Sequence, residues 1–145
     1  MNIRLRLATS GNQAFLCELN RLAYEDVVKS QFGTWDDLAQ RQYFKGKLQR
    51  GVFQVVELDR RPVGAVWSSE QEDHVLLHEL LVLPEFQEQG IGTRILRLEI
   101  ERAETLRKPI RLHTLVLNHA QEFFRRHGFK EIGRSKDYVE MERSG

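Results

Sequence analysis

Leu83-Pro84-Glu85-Phe86-Gln87-Glu88-Gln89-Gly90-Ile91-Gly92-Thr93 is the stretch from which the fold is read. Before it, Val75 to Leu83 is the most apolar run of the chain, and a strand this continuous is expected to be buried on both faces. Pro84 ends the strand. After the turn, Gly90 to Arg107 reads as a long amphipathic helix. Leu96, Ile100, Ala103 and Leu106 form one apolar row, and Ile91, Ile95 and Leu98 a second. The first amides of a helix have no carbonyl partners and lie at the positive end of its dipole. Gly90 and Gly92 let a ligand approach that backbone without a Cβ in the way. The turn therefore suits a phosphate or pyrophosphate, although a Gly-x-Gly alone is equally a tight strand-to-helix connection. A Walker loop would need Gly-Lys-Ser/Thr, which is absent, and a dinucleotide fingerprint would need a third glycine where Ile95 stands.

Working outward, the pattern is that of one α/β domain over residues 1–145. Ile3 to Leu7 alternates as a half-buried strand. Ser10 and Gln13 resemble a capping box opening a helix, with Phe15, Leu19 and Leu22 on one face. Gln31 to Trp35 reads as a loop around Gly33, and Thr34 or Asp36 as the cap of a second helix reaching about Lys47. Phe53 to Leu58 and Val63 to Ser68 form a hairpin around Asp59-Arg60-Arg61-Pro62. Ile110 to Leu117 is a strand, Asn118 to His127 a short helix closed by Gly128, and Phe129 to Ile132 and Tyr138 to Met141 the last strands.

Composition limits the function. With 145 residues, 22 Lys and Arg and 21 Asp and Glu, the net charge is +1, which argues against a dedicated nucleic-acid binder. The N-terminus has no apolar core like that of a signal peptide, and no apolar run reaches the roughly 20 residues that span a bilayer. A cytoplasmic protein without membrane or nucleic-acid partners is expected. The single cysteine, Cys17, is read as a packed side chain, and His113, His119 and His127 show no metal-ligand spacing, so no metal is expected.

Gln87-Glu88-Gln89-Gly90-Ile91-Gly92 resembles the Gln/Arg-x-x-Gly-x-Gly/Ala motif of the GCN5-related N-acetyltransferases (GNAT). The resemblance extends to Leu80-Leu81-Val82-Leu83-Pro84 before it, to Asn118-His119-Ala120 with Phe123-Phe124 and Gly128-Phe129 after it, and to the order of elements. It implies a mixed sheet of about seven strands flanked by about four helices and splayed after the fourth strand. It also implies an acetyl-CoA-dependent acyltransferase acting on an amine of a small molecule or peptide, by direct attack in a ternary complex. By the same resemblance, pantetheine would bond to backbone of the Leu81, Val82 and Leu83 segment. The pyrophosphate would sit on the amides of Gln89, Gly90, Ile91, Gly92 and Thr93, Gln87 and Glu88 would belong to the same cofactor-binding loop, and Asn118 and Phe124 would line the cofactor.

His78 and Glu79 are the strongly polar residues of the apolar strand, and burying them unpaired would be costly, so each should have a partner or a function. By the resemblance, counting back from Gln87, Leu76 and His78 fall where members place active-site side chains. His78, whose ordinary pKa near neutrality suits the role, is therefore the first choice as general base, directly or through water, and Glu79 the reserve; a structural histidine bonded to backbone or carboxylate is the competing reading of His78. Tyr24, Phe32, Trp35 and Asp36 sit in the segment expected to receive the acceptor, where an acid beside aromatics suits a cationic amine. For Trp35 and Asp36 a helix cap beside a packed ring fits the residues as well. The chain departs from the family where many members carry a tyrosine to protonate the leaving thiolate, since Phe124 stands there. That departure supports an alternative, an acyl-CoA-binding sensor or regulatory protein with little catalysis. The last strands allow pairing into a homodimer.

Overall fold

The computed structural model describes residues 2–144. Its elements are β1 (Ile3–Leu7), α1 (Gln13–Phe32), α2 (Asp37–Arg50), β2 (Gln54–Leu58), β3 (Arg61–Glu70), β4 (Val75–Val82), α3 (Ile91–Thr105), β5 (Ile110–Leu115), α4 (Ala120–Arg126), β6 (Lys130–Arg134) and β7 (Tyr138–Arg143). The strands form one mixed seven-stranded sheet in the order β1-β2-β3-β4-β5-β7-β6. Neighbours β1–β2, β2–β3, β5–β7 and β6–β7 are antiparallel, and β4–β5 is parallel. The β4–β5 ladder consists of Val75↔Ile110 and Leu76↔Arg111, a short contact in keeping with a sheet that opens after its fourth strand. The expected architecture of seven strands and four helices is therefore the observed one.

By its internal contacts the chain forms two compact units, residues 2–67 with Glu79–Leu96, and Ser68–His78 with residues 97–144. In the first, Leu16 and Leu19 of α1, Phe44 of α2, Phe53, Ala65 of β3 and Leu81 of β4 build the core. Burying each large side chain contributes about 1.5–3 kcal/mol before chain entropy is counted. The rings of Phe53 and Trp67 meet at a tilt of 48° with centroids 5.2 Å apart, and a Cβ at Gly51 would lie 2.6 Å from Trp67. At Gly64 a Cβ would lie 2.4 Å from the Leu81 carbonyl oxygen, so β3 and β4 come this close only because residue 64 has no side chain. In the second unit β5 pairs β7 over six residues, and Leu112, Val139, Met141, Phe124 and Phe129 are buried.

Several local expectations need correction. The capping box is formed by Thr9 and Asn12 at a 3-10 turn, not by Ser10 and Gln13. The buried face of α1 is Leu16, Leu19 and Asn20; Leu22 is 40% exposed, because Leu16 and Leu19 are the side chains that reach the core of α2 and the sheet. α1 continues to Phe32 and stops at Gly33, whose φ of 88° and amide bond to the Lys29 carbonyl make the left-handed cap. α2 is capped by Asp36, whose carboxylate accepts the Ala39 amide at 3.1 Å, and it runs on to Arg50. β4 is not buried on both faces: Val75, Leu77, Glu79 and Leu81 are buried, whereas Leu76, His78, Leu80 and Val82 are half-buried. Leu98 of α3 is 45% exposed, since the 100° step per residue carries it just past the arc that holds Ile91, Ile95, Leu96, Ile100 and Ala103. Among the described residues no helix is long and apolar enough to cross a membrane.

Candidate active site

β4 ends where Leu83 donates its amide to the Val63 carbonyl at 2.8 Å, and Pro84–Phe86 follows as a single 3-10 turn. Arg61 fixes this turn, pairing with Glu85 at 3.2 Å and lying 4.9 Å over the Phe86 ring. The Gln87 side chain reaches back to the Val82 carbonyl at 3.0 Å, and that of Gln89 to the Glu85 carbonyl at 3.1 Å. Glu88 and Gly90 have φ values of 64° and 82°. The left-handed region is natural for glycine but unusual for glutamate, and such residues gather at functional sites. A Cβ at Gly90 would meet no atom within 4 Å, so the glycine serves the backbone and leaves open space beside it. The first bond of α3 runs from the Arg94 amide to the Gly90 carbonyl at 3.0 Å. The amides of Ile91, Gly92 and Thr93 precede that ladder and carry the positive end of the helix. Ile91, 1% exposed, anchors the first turn.

Glu79 is 5% exposed, and its carboxylate is fully engaged within its own unit. Lys47 Nζ donates to Oε1 at 2.9 Å, and the Tyr24 hydroxyl donates to Oε2 at 2.5 Å. A buried carboxylate is tolerated when a countercharge and further hydrogen bonds replace its water, as happens here. Lys47 also stands 5.1 Å over the Tyr43 ring. Sequence reasoning did not find Lys47, which comes from a polar helix and meets a residue 32 positions away.

His78 lies in the other unit. Its Nε2 is 2.7 Å from the Ser69 hydroxyl, across the β3–β4 hairpin. The Gln71 side-chain amide donates to the same hydroxyl at 2.8 Å. Beside them, Lys108 pairs with Glu70 at 2.7 Å and holds its carboxyl below the ordinary range, and the bond from His74 does the same for Asp73. Asn118, also in this unit, accepts the Ala120 amide on its side chain at 2.9 Å and so opens α4. Phe124 is buried against Phe129, with ring centroids 5.6 Å apart. Gln121, 8% exposed and missed in the sequence, donates to the Val116 carbonyl at 2.8 Å and ties α4 to the end of β5.

The four acceptor candidates have different local partners. Tyr24 meets Glu79, Asp36 caps α2, and Phe32 is 50% exposed at the end of α1. Trp35 donates to Asp37 at 3.3 Å and lines a groove of about 520 Å³ between α1 and α2, with Cys17, Arg21 and Arg41. Burial raises the Cys17 thiol pKa there, with Lys45 and Arg41 pulling the other way. Among the described residues no group of three or more His, Cys, Asp or Glu is placed to hold a metal ion.

Comparison with known proteins adds to this geometry. Residues 49–131 match the family described as "Acetyltransferase (GNAT) domain". An uncharacterized N-acetyltransferase of Methanocaldococcus jannaschii is 36% identical over 112 residues, covering 70% of this chain and 50% of that protein. The chain thus spans about half the length of this curated relative. Among solved structures, the PaiA N-acetyltransferase of Thermoplasma acidophilum, in complex with coenzyme A, superposes with a TM-score of 0.77 at 18% identity, covering 100% of both chains. Naa50 of Arabidopsis thaliana, bound to a bisubstrate analogue, gives 0.70 at 17% identity and also covers 100% of both. At these identities the likeness establishes the fold.

Proposed function

The chain belongs to the GNAT acetyltransferase family, and from that premise we propose that it is an acetyl-CoA-dependent N-acetyltransferase. In this reading it moves an acetyl group to an amine of a small molecule or peptide by direct attack in a ternary complex, and residues 1–145 act as one N-acetyltransferase domain. The observation that carries it is the turn from β4 into α3. Left-handed residues at Glu88 and Gly90, open space at Gly90 and amides ahead of the helix ladder at Ile91, Gly92 and Thr93 fit a pyrophosphate.

Acetyl-CoA brings the activated acyl thioester. Backbone of Leu81, Val82 and Leu83 holds the pantetheine arm as an added strand would be held. Val82 accepts from Gln87 and still has a second lone pair to offer. Gln87, Glu88 and Gln89 shape the loop, and Asn118 and Phe124 are further contacts to the cofactor. His78 takes the proton from the acceptor ammonium. Glu79, engaged by Lys47 and Tyr24, orients rather than accepts a proton. Tyr24, Phe32, Trp35 and Asp36 receive the acceptor. We place the protein in the cytoplasm, where its one free cysteine suits a reducing environment, and read the edge strand β6, with Ile132 49% exposed, as the surface for a homodimer.

Calorimetric titration with acetyl-CoA, with ATP as control, tests the reading. CoA-selective binding followed by thiol release that depends on an added amine is the expected result. A folded sample that binds neither would overturn it. One observation favours a second reading: Phe124, a hydrocarbon 8% exposed, stands where a proton donor for the thiolate would be expected. Cofactor binding without amine-dependent release across a broad amine panel would identify a sensor.

A further inference from the structure

α1 turns Leu16, Leu19 and Asn20 inward, and the third of these is polar. Asn20 is 7% exposed, yet among the described residues its side chain has no hydrogen-bond partner. A buried amide without a partner is costly, and an apolar group of similar shape in its place removes that cost. No fully buried side-chain nitrogen or oxygen among the described residues lacks a partner. The Asn20 amide therefore opens onto space, and the space it lines is the groove of about 520 Å³ between α1 and α2. All of the groove's lining residues belong to the first compact unit.

The walls around the amide have a definite chemistry. Trp35 and Phe44 supply aromatic surface, and Cys17 a thiol whose pKa burial raises. The cations of the groove are Arg21, Arg41 and Lys45. Arg21 is paired with Glu18 and Glu25, and Arg41 with Asp37 at 2.9 Å. Lys45 has no ion-pair partner among the described residues. One positive charge is thus left over, close to a side chain whose NH₂ donates and whose carbonyl accepts.

We propose that the α1–α2 groove is a binding site for an acylamino carboxylate, the group that ends an N-acyl amino acid or a short peptide. Asn20 pairs with its amide, Lys45 takes its carboxylate, and its apolar side chain lies against Trp35 and Phe44. Acetate would meet Lys45 but offers the Asn20 carbonyl no hydrogen. A neutral amide would satisfy Asn20 and leave Lys45 unmatched. The groove shares no lining residue with the glycine turn, uses Trp35 as aromatic surface only, and does not rest on acyl transfer.

Cys17, the one cysteine of the chain, reports occupancy. In the full chain without cofactor, N-acetylleucine should slow maleimide labelling of Cys17 with a Kd of about 1 mM. At about 10 mM, mass action then gives about tenfold protection. N-acetylleucinamide, which lacks the charge, and acetate, which lacks the amide, should protect less at the same ionic strength. The tripeptide Gly-Gly-Leu separates the two sources: stronger protection than by N-acetylleucine assigns a peptide end, and weaker protection an N-acyl amino acid. Asn20→Leu should raise the Kd about tenfold and also raise the urea midpoint, because an unpartnered amide leaves the interior. Lys45→Gln, at an exposed position, should raise the Kd about threefold, the modest worth of an exposed charge pair. Each variant is read as its own ratio of labelling rates with and without ligand. Equal protection by acetate, an undiminished effect in Asn20→Leu, a fall in its urea midpoint, or no protection of the wild type by either acylamino carboxylate would overturn the site.

Discussion

Glu79 holds two partners on its carboxylate, an ammonium from α2 and a phenol from α1, whereas His78, one residue earlier on the same strand, holds a serine hydroxyl. Both are polar groups set in an apolar run, and the difference lies in what their partners do to the charge. Lys47 supplies a countercharge to Glu79 at 2.9 Å and makes it part of the framework. Ser69 is neutral, and its hydroxyl can either donate or accept. Burial follows the same division, with Glu79 on the buried face of β4 and His78 on the half-buried one. A strand can thus carry two polar side chains side by side by giving them partners of different chemistry.

The contrast can be broken most sharply at His78. His78→Ala should lower turnover about 100-fold, about 2.7 kcal/mol of barrier, while calorimetric affinity for acetyl-CoA stays as in wild type. A turnover and pH–rate profile identical to wild type would leave both polar residues structural. Glu79→Gln should act the other way, costing about 2 kcal/mol of stability by urea unfolding and little turnover in the folded fraction. This is below the about 3–5 kcal/mol of a fully buried pair because the Lys47 side chain is 24% exposed and can turn to water. A large loss of turnover at unchanged stability would exchange the two roles.

Gly92→Asp separates both residues from cofactor binding. A carboxylate beside the first helix amides should weaken acetyl-CoA about tenfold, about 1.4 kcal/mol, with the unfolding midpoint nearly unmoved. Unchanged affinity would detach the glycine turn from the cofactor. The smallest effect concerns exposed pairs. Hydrogen bonds from Arg21, Lys108, His74 and Arg134 hold the carboxyls of Glu18, Glu70, Asp73 and Glu131 below their ordinary range. A carboxyl depressed in the folded state adds stability above its unfolded pKa, and this is lost as pH falls through the folded value. Thermal midpoints should therefore decline gently from about pH 6 to about pH 3, and the slope should flatten in high salt because these groups are exposed. A slope insensitive to salt would show that these exposed pairs are not its source.

What the sequence revealed follows the range of the interactions involved. The turn from β4 to α3 depends on neighbouring residues, so Pro84, Gly90 and the apolar rows around them were enough to place it. Caps and helix faces drifted by a residue or more, because tertiary packing chose Leu16 over Leu22 and the Thr9–Asn12 box over Ser10–Gln13. His78 and Glu79 stood out as polar residues in an apolar strand, but their partners did not. Ser69 is nine residues from His78, and Lys47 and Tyr24 are 32 and 55 from Glu79. No periodicity in the chain encodes those meetings. Tyr24 and Phe32 lie on α1, which runs on to Phe32, and Asp36 caps α2, placements that the loop read around Gly33 did not fix to the residue.

The chain has two tryptophans, and they occupy unlike settings. Trp35 lies beside the α1–α2 groove. Trp67 is packed over Gly51 and Phe53, two positions before Ser69. Replacing Trp35 by Phe would leave one tryptophan that can be excited selectively over the three tyrosines, seated on glycine and aromatic surface two positions before Ser69. Its emission would give an optical readout of that strand in an unlabelled protein, with no dye added and no cysteine introduced.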